Sequence, residues 1–312
     1  MYVISSRRKW LNTGESWTVL QTGNALPPTT APQSNYLPAG FTSSLQDPLV
    51  ILIHGYANRE KDAFRQYATE IGTGASGGLL AANGFHGSVI GYDWPSFDTA
   101  VTGPLQQYAS DLQAAGEVGA PSLADFLNRL IAVVGRRGIR INLMAHSMGN
   151  FVVRQMLIAN PSLAQYLDNI ISFGADFPYT DLERPELKAT ADALTGNWFV
   201  YWSQADFVLL SLSNWANIIL GNEHWGGQRL GQAGPRDMRL VSPKVIAQEW
   251  DVPLAKDLGS MYNRDLREWP FNAKIHSLYW SNGPFLANVA QNLQHAPATP
   301  PITVSWPLPP RP

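Results

Sequence analysis

Three strand-like segments rich in apolar residues constrain this chain most: "PLVILIHG", a continuous apolar run ending at Gly55, "INLMA" at 141–145 and "NIISFGA" at 169–175. A strand with one face in water alternates apolar and polar residues, whereas a strand apolar throughout is buried on both faces and belongs in a parallel sheet covered by its crossover helices. The intervening segments supply those helices. "KDAFRQYATEIG" has helical spacing, and further helices are predicted near 104–135, near 149–159 and over "FLANVAQNLQ". "SVIGYDWPS", "NWFVYWS", "DMRLVS" and "VIAQEWDV" read as additional strands, and "MYVISS" and "SWTVLQT" near the start as short edge strands. The expectation is an α/β fold with a mostly parallel central sheet and helices on both faces.

Residues 1–47 are read as two N-terminal strands and a linker rich in Pro, Ser and Thr, residues 48–296 as the main domain, and 297–312, with seven prolines, as an extended tail. At 312 residues and 45% hydrophobic, the chain can build one large core. A net charge of −2 with only 15% charged residues offers no basic face for a phosphate backbone, so nucleic acid is not an expected partner. The absence of cysteine excludes disulfides, thiolate metal sites and a cysteine nucleophile. "SSRRKWLN" resembles a twin-arginine export signal, but "TGESWTVLQTGNALPP" follows where an apolar segment should, and a cytoplasmic chain is expected by default. The apolar stretch 207–220 is shorter than the roughly 20 residues of a spanning helix, so no transmembrane segment is expected.

The strand "INLMA" runs directly into "HSMGN", which places Ser147 on a strand-to-helix turn with Ala145 two residues before it and Gly149 two after. Small residues at those positions allow the sharp turn of a nucleophile elbow, here in the form A-x-S-x-G. The alternative is a helix N-cap serine after a buried strand. A second turn, His54-Gly55-Tyr56, ends an earlier strand, and "WPS" at 94–96 ends another. With these three motifs in order, the chain resembles the α/β-hydrolase superfamily over about residues 48–290, most closely a bacterial branch marked by HGY, WPS and HSMGN. The resemblance implies an α/β-hydrolase fold and an oxyanion hole formed by the backbone amides of Tyr56 and Met148, donors preset for the charge that develops on the attacked carbonyl.

A serine hydroxyl needs an imidazole to take its proton and a carboxylate to orient that imidazole. The superfamily order is nucleophile, acid, histidine. His54, His86 and His146 precede Ser147; His224 lies in a glycine-rich loop before "DMRLVS"; His295 adjoins the proline tail. His276, between the last expected strand and the closing helix, is the candidate base. For the acid, Asp206 follows "NWFVYWSQA" and matches the branch pattern Y-x-S-x-x-D through Tyr201 and Ser203, and Asp176 after "NIISFGA" is the alternate. Segment 207–236 is a candidate lid or pocket insertion.

"GTGASG" at 72–77 has dinucleotide-loop spacing but follows a helix rather than a strand, and neither cofactor nor metal is expected. The reading is a serine hydrolase of carboxylic esters, acting on a small-molecule or lipid-like ester. An acyltransferase on the same fold and a non-catalytic binding protein are the rivals, and oligomeric state is not legible.

Overall fold

In the computed structural model, the described residues are 2–11, 14–21, 37, 39–56, 63, 67, 78–97, 103–204, 206, 208–209, 227–250, 276 and 278–294. Eight strands form one sheet: β1 (Tyr2–Ser5), β2 (Thr18–Gln21), β3 (Leu49–Ile53), β4 (Ser88–Asp93), β5 (Ile141–His146), β6 (Leu167–Phe173), β7 (Trp198–Trp202) and β8 (Val245–Glu249). Their order is β2-β1-β4-β3-β5-β6-β7-β8, and only the β1–β2 pair is antiparallel.

The apolar runs form strands because both faces of each are covered. In β3, Leu49, Ile51 and Ile53 point into one core while Val50 and Leu52 point into the other; Trp198 and Val200 against Phe199 and Tyr201 repeat this in β7. One layer is built on α3 (Pro104–Ala114), α4 (Ala120–Val134), α5 (Gly149–Ala159) and α6 (Pro185–Ala193), which follow α1 (Ala39–Ser44) and α2 (Gly78–Ala82) in the chain. The opposite layer is built largely on α8 (Gly283–Leu293), which follows the short α7 (Leu230–Ala233). Asn282 caps α8 by accepting from the Phe285 N–H at 2.9 Å, and Pro284 occupies its first turn.

Helices α3 and α4 are joined by a π-helical turn, Ala115–Gly119, and Gly119 lets this turn pass close to Trp94 and Val152. By length and composition the run Leu105–Arg137 could cross a membrane, a feature the sequence reading did not register. Its apolar stripe is occupied, however. Leu123, Phe126, Leu127 and Leu130 are fully buried in the core that covers β3 and β5, as in an amphipathic core helix.

Two expectations are corrected. β1 is not an edge strand, since it pairs with both β2 and β4. "DMRLVS" forms turns rather than a strand, because Asp237 accepts the Arg239 N–H at 3.0 Å and Pro235 and Pro243 bracket the segment. The strand that pairs with β7 is Val245–Glu249, within "VIAQEWDV". Calls on 72–77, His224, His295, the tail and most of 207–226 lie outside the described residues.

Candidate active site

The site lies where β3, β5, β6 and β7 end, at their C-terminal edge, the usual place for ligands in a parallel sheet. Ser147 follows β5 with φ of 52°, a left-handed conformation that a side chain adopts only under constraint. The constraint is local. The Ser147 N–H donates to the Phe173 carbonyl at 3.2 Å, and its own carbonyl accepts from Asn150 and Asp176 at 3.0 and 3.2 Å. Gly149 has no room for a side chain, because a Cβ there would lie 2.5 Å from the His54 carbonyl oxygen and 2.7 Å from that of Ile53. Asn150, a residue the sequence reading did not single out, donates from its side chain to the Ala145 carbonyl at 2.8 Å and so closes the turn.

The His54-Gly55-Tyr56 turn is fixed from three sides. The His54 N–H donates to the Tyr67 hydroxyl at 3.1 Å, the Trp94 indole donates to the His54 carbonyl at 2.8 Å, and His54 Nδ1 donates to the Gly55 carbonyl at 2.9 Å. Trp94, from the WPS motif, also stacks on the His54 ring. Behind it sits a buried charge cluster absent from the sequence reading. Arg7 Nε reaches both Asp93 oxygens at 2.8 and 2.9 Å, Arg7 donates to the Ser96 carbonyl at 2.8 Å, and His54 Nε2 lies 3.3 Å from Asp93. Burial alone would raise the Asp93 pKa, but Arg7 and His54 outweigh it and hold it below the ordinary carboxylate value. An aspartate ending a buried strand in "GYDWPS" requires a cationic partner; nothing local to it points to Arg7.

Gly55 brings this turn against the elbow, since a Cβ on it would sit 2.6 Å from Ser147 Cβ. Among the described residues no group accepts from the Met148 N–H, which lies at the start of α5, where the helix dipole favours negative charge. Tyr56 is half-buried, and burial, with Asp111 nearby, pushes its phenol up to about 12, so it stays protonated.

His276 and Asp206, 70 positions apart, meet: His276 Nδ1 lies 2.7 Å from Asp206 Oδ2. Asp206 is fully buried on a turn closed by its own N–H to the Ser203 carbonyl, and its other oxygen accepts the Leu209 N–H at 3.3 Å. Burial disfavours the His276 cation, but Asp206, with Asp176 adding, raises its pKa above the ordinary histidine value. Its Nε2 is buried without a hydrogen-bond partner among the described residues, Ser147 included.

Asp176, the alternate acid, is engaged elsewhere. Its oxygens face Arg229 Nε at 3.4 Å and the Tyr108 hydroxyl at 3.0 Å, and its N–H braces the Ser147 carbonyl. Tyr108 and Arg229 are far from Asp176 in the chain, and no local pattern announces them. His86 is exposed. Among the described residues there is no group of three or more histidine or acidic side chains that could hold a metal ion.

The family described as "Alpha/beta hydrolase of unknown function (DUF900)" matches residues 32–248. This chain belongs to that family. The matched span of this α/β hydrolase contains Tyr56, Ser147, Met148, Asp176 and Asp206, whereas His276 lies beyond it. Among solved structures, the chain is similar to Aspergillus fumigatus lipase B, with 15% identity over 73% of this chain and 53% of that one and a TM-score of 0.36; it thus spans about half the lipase's length. It is also similar to a predicted CIB-like hydrolase from Thermoplasma acidophilum, with 17% identity over 69% and 82% and a TM-score of 0.29. A third similarity is to TT1662 from Thermus thermophilus, with 15% identity over 70% and 88% and a TM-score of 0.33. No curated protein matches.

Proposed function

We propose that this α/β hydrolase is a serine hydrolase of carboxylic esters, with Ser147, His276 and Asp206 as its catalytic triad. The observation that carries the reading is the buried Asp206–His276 bond of 2.7 Å beside a serine held at φ of 52°. With Nδ1–H donated to Asp206, His276 presents Nε2 as a lone pair, the tautomer a general base needs. Ser147 Oγ attacks the ester carbonyl as Nε2 takes its proton, and the carbonyl π electrons become an oxyanion. The Met148 and Tyr56 amides donate to that oxygen, each such donor contributing about 3 kcal/mol to the transition state. The tetrahedral intermediate collapses, the alkoxide leaves with the proton from Nε2, and an acyl-enzyme remains. Water then attacks the acyl carbonyl, giving its proton to His276, and the carboxylic acid departs as Ser147 recovers that proton. Leu209, buried with its N–H on Asp206, supports a preference for an apolar acyl group.

The test is hydrolysis of p-nitrophenyl esters from acetate to palmitate by wild type and Ser147→Ala, with intact-mass detection of fluorophosphonate labelling. Turnover and a single adduct, both lost in the variant, are expected. A wild type that neither turns over nor labels overturns the reading.

A further inference from the structure

We propose that His146 is a positioning residue for this reaction: its Nε2–H donates to the backbone carbonyl of His276 and ties the main chain of the base to the residue preceding the nucleophile. The inference rests on the serine-hydrolase reading above.

The contact is 2.8 Å and spans 130 positions of sequence. A carbonyl oxygen only accepts, so Nε2 must carry the proton, which leaves the lone pair on Nδ1. That Nδ1 is buried without a partner among the described residues and is packed toward Gly55, whose Cβ, were there one, would lie 3.1 Å from it. The His146 ring is stacked on Phe173 at 5.1 Å, meets Trp280 edge-on at 5.3 Å and lies 4.6 Å from the His276 ring. These contacts leave the donor nitrogen one direction in which to point.

Asp206 holds the His276 imidazole at one atom, which fixes the direction of the ring but not the position of the main chain from which it swings. A second tether at the carbonyl supplies that position. Because His146 adjoins Ser147 on the peptide, the tether relates nucleophile and base directly rather than through the sheet.

The tether is also insensitive to the charge of its neighbour. Burial, with His276 and His54 nearby, pushes the His146 pKa well below the ordinary histidine value. The ring therefore stays neutral and keeps one N–H while His276, which faces Asp206, Asp176 and His146, gains and loses its proton.

The test compares His146→Phe, which keeps an aromatic ring without the donor, with His146→Gln, which restores an N–H donor. The Phe variant is expected to lose on the order of 10²-fold in kcat for p-nitrophenyl butyrate, the cost of misplacing a catalytic group by about 1 Å, with KM little changed. The NMR titration of His276 should move to lower pH as its bond to Asp206 loosens, and Gln should recover most of both effects. A Phe variant with wild-type kcat and titration overturns the inference. So do Phe and Gln variants equally impaired with the His276 titration unmoved, since His146 would then only fill space. If the Phe variant does not fold, 15N spectra of wild-type His146 decide: a neutral Nε2–H tautomer is expected from pH 5 to 8, and an Nδ1–H tautomer or a titrating ring refutes the tether. Failure of wild type to label with fluorophosphonate would instead sink the hydrolase reading, and the tautomer and titration would still judge the tether.

Discussion

Gly55→Ala isolates how closely the two turns of the site are fitted. The new methyl carbon would lie 2.6 Å from Ser147 Cβ, 3.1 Å from His146 Nδ1 and 3.2 Å from the His146 carbonyl oxygen, where ordinary contact begins at 3.4 Å. The serine contact must therefore open by about 0.8 Å, and none of the three atoms is the free end of a flexible side chain. Gly55 is not among the glycines with positive φ, so alanine meets no backbone penalty there. Reduced freedom of the unfolded chain alone would make the variant more stable by about 0.4–1 kcal/mol. Overpacking of a rigid site costs about 1–3 kcal/mol, leaving a net loss of roughly 1–2 kcal/mol and a thermal midpoint a few degrees lower. The rate should suffer more. A displacement near 1 Å between nucleophile and oxyanion donors is expected to lower kcat for p-nitrophenyl butyrate on the order of 10²-fold. Calorimetry and steady-state kinetics on the same preparation separate the two effects. Wild-type kcat with an unchanged or higher midpoint would mean that the turn and the elbow are not in contact, and would refute the fit.

Asp206→Asn should keep the fold and lower kcat by about 10⁴-fold by favouring the wrong imidazole tautomer, whereas Asp176→Asn should cost far less; the reverse order would make Asp176 the acid. Because Asp206 raises the His276 pKa and only the neutral ring accepts a proton, kcat/KM should fall with decreasing pH along a limb lying above the ordinary histidine value, and Asp176→Asn should move that limb to lower pH. Arg7→Met leaves Asp93 buried without its main cation and should cost about 3–5 kcal/mol in urea unfolding; a loss below about 1 kcal/mol would show the pair to be dispensable. Since the Asp93 pKa is lowered on folding, its share of stability is present above its unfolded value near 3.9 and lost as pH falls through its folded value.

The central sheet was legible in sequence because burial on both faces leaves a mark: β3 is a continuous apolar run, and β5 and β6 carry apolar residues into both cores, Leu143 and Ile170 into one and Met144 and Ile171 into the other. The elbow was legible for the same kind of reason, since sterics around Ser147 demand Gly149 at a fixed offset. "DMRLVS" misled because its alternation matches a strand while its prolines and Asp237 favour turns, and local hydrogen bonds won over pattern. The contacts of Asp176 with Tyr108 and Arg229, of Asp93 with Arg7, and of His146 with the His276 carbonyl left no comparable mark. Each joins residues tens of positions apart or more through a few polar atoms, and such isolated contacts impose no periodicity.

Sequence alone therefore determined the layered α/β architecture and the turn that carries Ser147, because these depend on burial patterns and local sterics. Only the tertiary structure decided that Asp206 faces His276 while Asp176 faces Arg229 and Tyr108. Both aspartates follow buried strands and are alike in sequence; what separates them is the path of the chain after each strand, which is set by packing of the whole sheet.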